Sequence, residues 1–260
     1  MRIASVGHAF FAATLIGIGI LGLIKGDFTA VWDPVPKNVP ARELLVYLCA
    51  VISLASGIGL LFQRTAAIAA RLLLVALLLW MVTYRLPGLL RAPKEFYYPW
   101  CELAVIVAAA WVLYVWFATD WDKHHFGPAA GDVGLHIARV FFGLAMIPFG
   151  IGHFQFIHQT AEMVPRWLPW HLTWAYFFGC TFIAAGLGVL IGVAARLAAA
   201  LMTLQIGLFT VLVWFPLAAS ARPKTAFEWS ETVLSVVLTA AAWVVADSYR
   251  GVPWLALNKR

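Results

Sequence analysis

Charge is scarce in this sequence. Only 12% of its 260 residues are Asp, Glu, Lys or Arg, against roughly 25% in an ordinary soluble domain. That shortage excludes a water-solvated globule, because too little polar surface remains to cover one. Cysteine is scarce as well. Cys49, Cys101 and Cys180 stand singly and far apart, so there is no C-x-x-C pair for a thioredoxin-like centre or a cysteine-built metal site. They read as small apolar packing residues. No Rossmann glycine fingerprint, nucleophile elbow or zinc motif occurs, which counts against an autonomous enzyme carrying flavin or metal. The net charge of +6 comes without a basic stripe. Its 18 Lys and Arg are scattered among segment ends, which points away from nucleic acid and toward anionic lipid headgroups. The first apolar run has no A-x-A-like cleavage site behind it, and is read as a span rather than a removable signal.

Apolar residues are abundant: 63% of the chain, with a mean hydropathy of +0.88. About 20 apolar residues carry a helix across the bilayer core, and eight runs reach that length: 6–25, 43–62, 65–86, 99–118, 134–157, 172–193, 195–215 and 227–247. Lipid leaves the backbone only helices or closed barrels, and these runs are too long for barrel strands. The expectation is an all-α integral membrane bundle of eight transmembrane helices.

An offset of 129 residues brings the two halves into register. Val35-Pro-Lys-Asn-Val-Pro40 falls on Val164-Pro-Arg-Trp-Leu-Pro169, Gly57 and Gly59 on Gly186 and Gly188, Pro87 on Pro216, and Trp100 and Glu102 on Trp229 and Glu231. The chain is read as a first four-helix repeat (1–118), a polar linker (119–133) and a second four-helix repeat with a short tail (134–260). An even number of spans per copy leaves the two repeats in parallel orientation, related by a pseudo-twofold axis along the membrane normal. Lys and Arg divide evenly between the two faces, so the positive-inside rule gives no orientation. The long Pro- and Trp-rich loops and most of the acids lie on the face away from the termini. This favours a multi-pass protein with both termini cytoplasmic.

The candidate site residues cluster toward that second face. Glu102 and Glu231 sit inside spans 4 and 8, where an acid costs about 2.5–3.5 kcal/mol near the bilayer centre and so seeks an inward partner. One reading is a proton- or substrate-binding carboxylate in each half. The other is an interfacial acid paired with Arg85, Arg91, Arg166 or Lys224. The second half adds His153, His158, Glu162 and His171, with Ile24 opposite His153 at the 129 offset and Thr29 opposite His158. His153 is a candidate for proton transfer or ligand contact. His158 and Glu162 share a face if that stretch is helical, but no metal-ligand spacing supports a zinc site. His8 and His136 could ligate a haem between helices, or simply be duplicated interfacial residues. Arg139, early in span 5, is expected to snorkel or to pair with an acid. Gln205 and Thr203 are expected to turn inward from lipid.

The run Arg139-Val-Phe-Phe-Gly143, then Gly150-Ile-Gly-His153-Phe154, then Val164 to Pro169 and the glycines from Gly179 to Gly192, resembles the DoxX-like family of bacterial integral membrane proteins. The resemblance covers 135–245 well and the first half more loosely. It implies a four-helix membrane unit in the bacterial inner membrane. For some relatives it also implies quinone- or sulfur-linked redox chemistry. Carried over by position, it reaches Arg139, His153, Pro165, Pro169, Gly186 and Gly188. Three functions stay open: a redox-associated subunit binding a quinone or similar apolar molecule, a small-molecule or lipid transporter or binding protein, and a structural partner of another membrane or redox protein. The cofactor stays open, with a quinone as one candidate; haem and metal are disfavoured.

Overall fold

The computed structural model describes residues 3–220 and 226–257, and among these the regular secondary structure is helical apart from one isolated bridge between Val193 and Leu257. Eight helical segments are long and apolar enough to cross a membrane. Helix α1 (Val6–Lys25) starts on Ser5, whose hydroxyl accepts the His8 N–H, and stops at Gly26, which takes the left-handed conformation that glycine adopts without strain. Helix α2 (Arg42–Leu61) follows a long loop. Helix α3 (Ala66–Trp80) runs through a π-helical turn (Met81–Arg85) into α4 (Leu86–Arg91), the three forming one span. Helix α5 (Pro93–Phe117) closes the first half.

The polar linker is itself helical. It forms α6 (Asp120–Phe126), set by a capping box between Thr119 and Asp122, and a 3-10 turn (Gly127–Ala130). The second half holds α7 (Asp132–Gln155), the short α8 (Ile157–Met163), α9 (His171–Ile191) and α10 (Ala195–Phe209). A second π-helical turn (Thr210–Trp214) then leads to α11 (Phe215–Ala219), and α12 (Ala226–Asp247) is the last span.

Spans 3 and 7 run past the 65–86 and 195–215 read from the sequence, reaching Arg91 and Ala219. Pro87 and Pro216 should have stopped them, since proline lacks the N–H and crowds the carbonyl four residues back. In both places the π-helical turn comes just before the proline and widens the ladder, so the helix continues. Span 4 begins at Pro93 rather than 99, because proline suits the first turn of a helix.

Several features recur at fixed spacing. Helices α3 and α10, and the two π-helical turns after them, begin and end 129 residues apart. Ala41 and Trp170, the residues that precede α2 and α9, are two of the three non-glycine residues with positive φ among the described residues. Close helix pairing recurs too. A Cβ on Gly19 would meet the Ala50 carbonyl and Leu54, and one on Gly150 the Gly179 carbonyl and Ile183. Gly57 lies against Ala12 and Ile16, and Gly186 against Gly143 and Ile147. Small residues at these crossings let α1 meet α2, and α7 meet α9, backbone to backbone. In these contacts α7 lags α1 by 131 residues while α9 lags α2 by 129. At the centre α5 packs on α12; α5 also packs on α7, and α12 on α1. Residues Leu103 to Ala110 of α5 are buried throughout.

Candidate functional site

The loop between α1 and α2 does not cap the bundle from outside; it enters it. Phe28, Val31 and Trp32 are each about 2% exposed. The Trp32 indole N–H donates to Ser53 Oγ at 3.0 Å, and the Trp80 indole N–H donates to the Trp32 carbonyl at 3.0 Å. Arg85, on the first π-helical turn and 1% exposed, donates to the carbonyls of Val31 at 3.2 Å, Pro34 at 3.0 Å and Asp33. Three prolines deny this loop a regular helix. Its carbonyls therefore need donors, and one guanidinium supplies several at once.

In the second half the corresponding loop folds differently. It forms α8, which packs along α9. A cavity of about 720 Å³ is left between α7, α9, α10 and the central pair α5 and α12. One wall is aromatic: Phe149, His153, Phe178, Phe182 and Phe209 lie in ring contact, with centroids 4.9–6.1 Å apart. Glu102 from α5 and Glu231 from α12 also line the cavity. Asp33 and Pro34 of the plugged loop close one side, so the Arg85 guanidinium stands directly behind that wall. Val164, Pro165 and Leu168 line the side nearest the second-half loop, and partly exposed Met163, Leu208 and Leu212 lie at the rim.

His153 is held in a defined tautomer. Its Nδ1 lies 2.8 Å from the Phe149 carbonyl, and since a carbonyl only accepts, Nδ1 carries the hydrogen. In the neutral ring Nε2 is then an acceptor, in a residue that lines the cavity. The ring stacks on Phe209 at 5.9 Å and tilts against Phe182 at 5.2 Å. Neither Glu102 nor Glu231 has an ion-pair partner among the described residues. Lys224, one partner expected from the sequence, lies outside them. Glu102 is within electrostatic reach of both Glu231 and Arg85. Two carboxylates thus face one apolar cavity with a single buried guanidinium nearby. Balance requires a proton or a cationic group. Ser235 and Thr210 share a hydrogen bond of 2.7 Å beside the same cavity.

The structure therefore brings Glu102, Glu231 and His153 together and leaves the other candidates apart. His158 and Glu162 do share a face of α8, but they are exposed, while Gln159, Thr160 and Met163 line the cavity. His171 begins α9, partly exposed and away from the lining. Arg139 forms no ion pair with an acid among the described residues: it donates to Ser248 Oγ and the Ser248 carbonyl and lies 4.0 Å over the Tyr249 ring, in a separate hollow with His136 near the first face. His8 is tied to the Leu60 carbonyl at 3.0 Å and lies against Phe117, so it does not meet His136. No cluster of His, Cys, Asp and Glu among the described residues has the spacing to hold a metal ion. Gln205 turns inward as expected, accepting from Thr181 at 2.7 Å and donating to the Phe178 carbonyl.

Sequence reasoning missed the aromatic wall, because a Phe on a span reads equally as lipid-facing. It also took Arg85 only for a partner of an acid. The one available signal was that Arg85 matches Trp214 at the 129 offset, a charge in one half against an aromatic in the other. Comparison with known proteins finds no matching family model, no similar curated protein and no similar solved structure.

Proposed function

We propose that this chain is a tandem duplication of a DoxX-like four-helix unit, whose second copy binds an apolar small molecule with a polar ring, of the quinone type, as part of a redox-associated membrane assembly. The observation that carries the reading is the 720 Å³ cavity, with an aromatic wall on one side and Glu102, Glu231 and His153 around it. An apolar pocket with few, convergent polar groups is the usual form of a small-molecule site. The glutamates and His153 would hold or exchange protons with the ring's polar groups. The rim residues Met163, Leu208 and Leu212 suit a tail continuing toward lipid.

The duplication is supported by the paired π-helical turns, the paired positive-φ residues and the paired glycine crossings. The two-residue lag of α7 makes Gly22, rather than Ile24, the counterpart of His153, and His8 the counterpart of Arg139. Kinship with the DoxX-like proteins rests on Arg139, His153, Pro165, Pro169, Gly186 and Gly188. With it come a bacterial inner membrane, cytoplasmic termini and a membrane or redox protein as partner. Exposed Trp167 and Trp170, in the loop before α9, suit anchoring at the membrane–water boundary.

Purification in mild detergent, followed by a visible spectrum and mass spectrometry of extracted lipid, tests the reading. Co-purified quinone, reduced several-fold in both Glu102→Gln and Glu231→Gln, is expected. An empty, colourless protein that takes up labelled solute in liposomes would favour transport instead. Unchanged ligand content in both variants would remove the acids from the site.

A further inference from the structure

The two halves treat the same space in opposite ways. Cys49, Ser53, Trp80, Arg85 and Val105 are all buried in the first half, and Ser53, Trp80 and Arg85 among them bond to the inserted loop and its Trp32. At the 129 offset their counterparts are Phe178, Phe182, Phe209, Trp214 and Leu234, and all five line the open cavity. The first half fills this space with its own chain. Trp32 meets Trp80 edge to face at 5.1 Å, and Phe28 also meets Trp80, at 5.6 Å. In the second half the positions that could match Trp32 are Ala161 and Met163, on α8, which has swung onto α9 and delivers no ring.

We infer that the second-half cavity takes a planar two-ring aromatic group bearing an N–H or O–H donor, seated where the indole of Trp32 sits in the first half. This inference rests on the ligand-binding reading above and narrows it to a substrate class. Trp32 then serves as a built-in picture of the ligand: a two-ring plane against one aromatic edge, its N–H donated to a side-chain oxygen. The first-half acceptor, Ser53, is replaced by Phe182, which accepts nothing. The cavity offers acceptors elsewhere on its lining, at His153 Nε2 and Glu231 of the second half and at Glu102 of α5. Edge-to-face and offset contacts with Phe178, Phe182 and Phe209 would hold the ring faces. The cavity exceeds one indole, so the ring is the deep part of a longer molecule, with an apolar remainder toward the rim.

Equilibrium dialysis of the full chain in mild detergent, with 2-naphthol, naphthalene, phenol and 1-decanol as separate ligands, tests this. The expected result is one 2-naphthol per chain, bound at least ten-fold more tightly than phenol or naphthalene, and two per chain in Trp32→Ala. Phenol or decanol binding as well as 2-naphthol would overturn the two-ring assignment while leaving an apolar ligand site in place. A cavity that binds none of the four, in a protein that co-purifies with no apolar molecule, would overturn both readings. A folded Trp32→Ala protein that stays at one site per chain would overturn the equivalence of the two halves. If Trp32→Ala does not fold, the selectivity of the unaltered chain decides.

Discussion

The indole of Trp80 holds Trp32 in two ways at once: its N–H donates to the Trp32 carbonyl at 3.0 Å, and its ring meets the Trp32 ring at 5.1 Å and 84°. With Arg85 on the following turn, Trp80 fixes an irregular, proline-rich loop deep inside an apolar bundle. Stability of the first half should therefore depend on a donor as much as on packing.

Arg85→Gln is expected to lower stability by about 3 kcal/mol or more, because buried carbonyls of Val31, Asp33 and Pro34 lose their donors. Arg85→Lys should recover little, since one ammonium cannot reach three carbonyls as a planar guanidinium does. Thermal melting in detergent gives the size of the effect. Hydrogen exchange should place the new exposure in residues 26–41; protection unchanged there would contradict the role given to Arg85.

Much of the bundle was legible in the sequence, because span length and hydropathy are set by the bilayer and need no tertiary information. The 129-residue offset was legible for the same reason: prolines and glycines mark backbone geometry directly. The two-residue lag of α7 was not, since it lies in a loop of different length where no single residue pins the alignment. Glu102, Glu231 and His153 stood out as polar groups inside spans. The wall of Phe149, Phe178, Phe182 and Phe209 did not, because inward and lipid-facing phenylalanines look alike in so apolar a chain. His158 and Glu162 share a face as their spacing suggested, but which face of α8 meets the cavity depends on packing against α9, and Gln159, Thr160 and Met163 take that place.

Glycine crossings should tolerate no side chain. A Cβ on Gly57 would lie 2.7 Å from the Ala12 carbonyl oxygen, and one on Gly186 would lie 2.7 Å from that of Gly143. Gly57→Val and Gly186→Val are each expected to cost about 1–3 kcal/mol by forcing the helices apart. Gly17, with open space around its Cβ position, should accept alanine without loss. Comparing the three melting temperatures checks the contrast.

At the opposite end, Asp122 ties α6 to α3. Burial alone would raise its carboxyl, but hydrogen bonds from Arg71 and from the Thr119 hydroxyl and N–H outweigh this and hold it at about 2. A carboxylate held below its unfolded value near 3.9 adds stability that is complete above that value and is lost as pH falls through about 2. Asp122→Asn should therefore cost about 2 kcal/mol at pH 7 and progressively less as the pH is lowered from 4 toward 2. A difference that does not shrink over that range would show that the ionised carboxylate is not what matters.

Filling the cavity tests the central claim most directly. Leu234 lines it from α12 and is 4% exposed, so Leu234→Trp would place a two-ring side chain inside it, as Trp32 does in the first half. Titration of the unaltered protein and Leu234→Trp with 2-naphthol, alongside circular dichroism to confirm equal helix content, gives the comparison. The expected result is one saturable site in the unaltered chain and none in Leu234→Trp. Equal binding by both proteins would contradict the placement of the ligand in the second half.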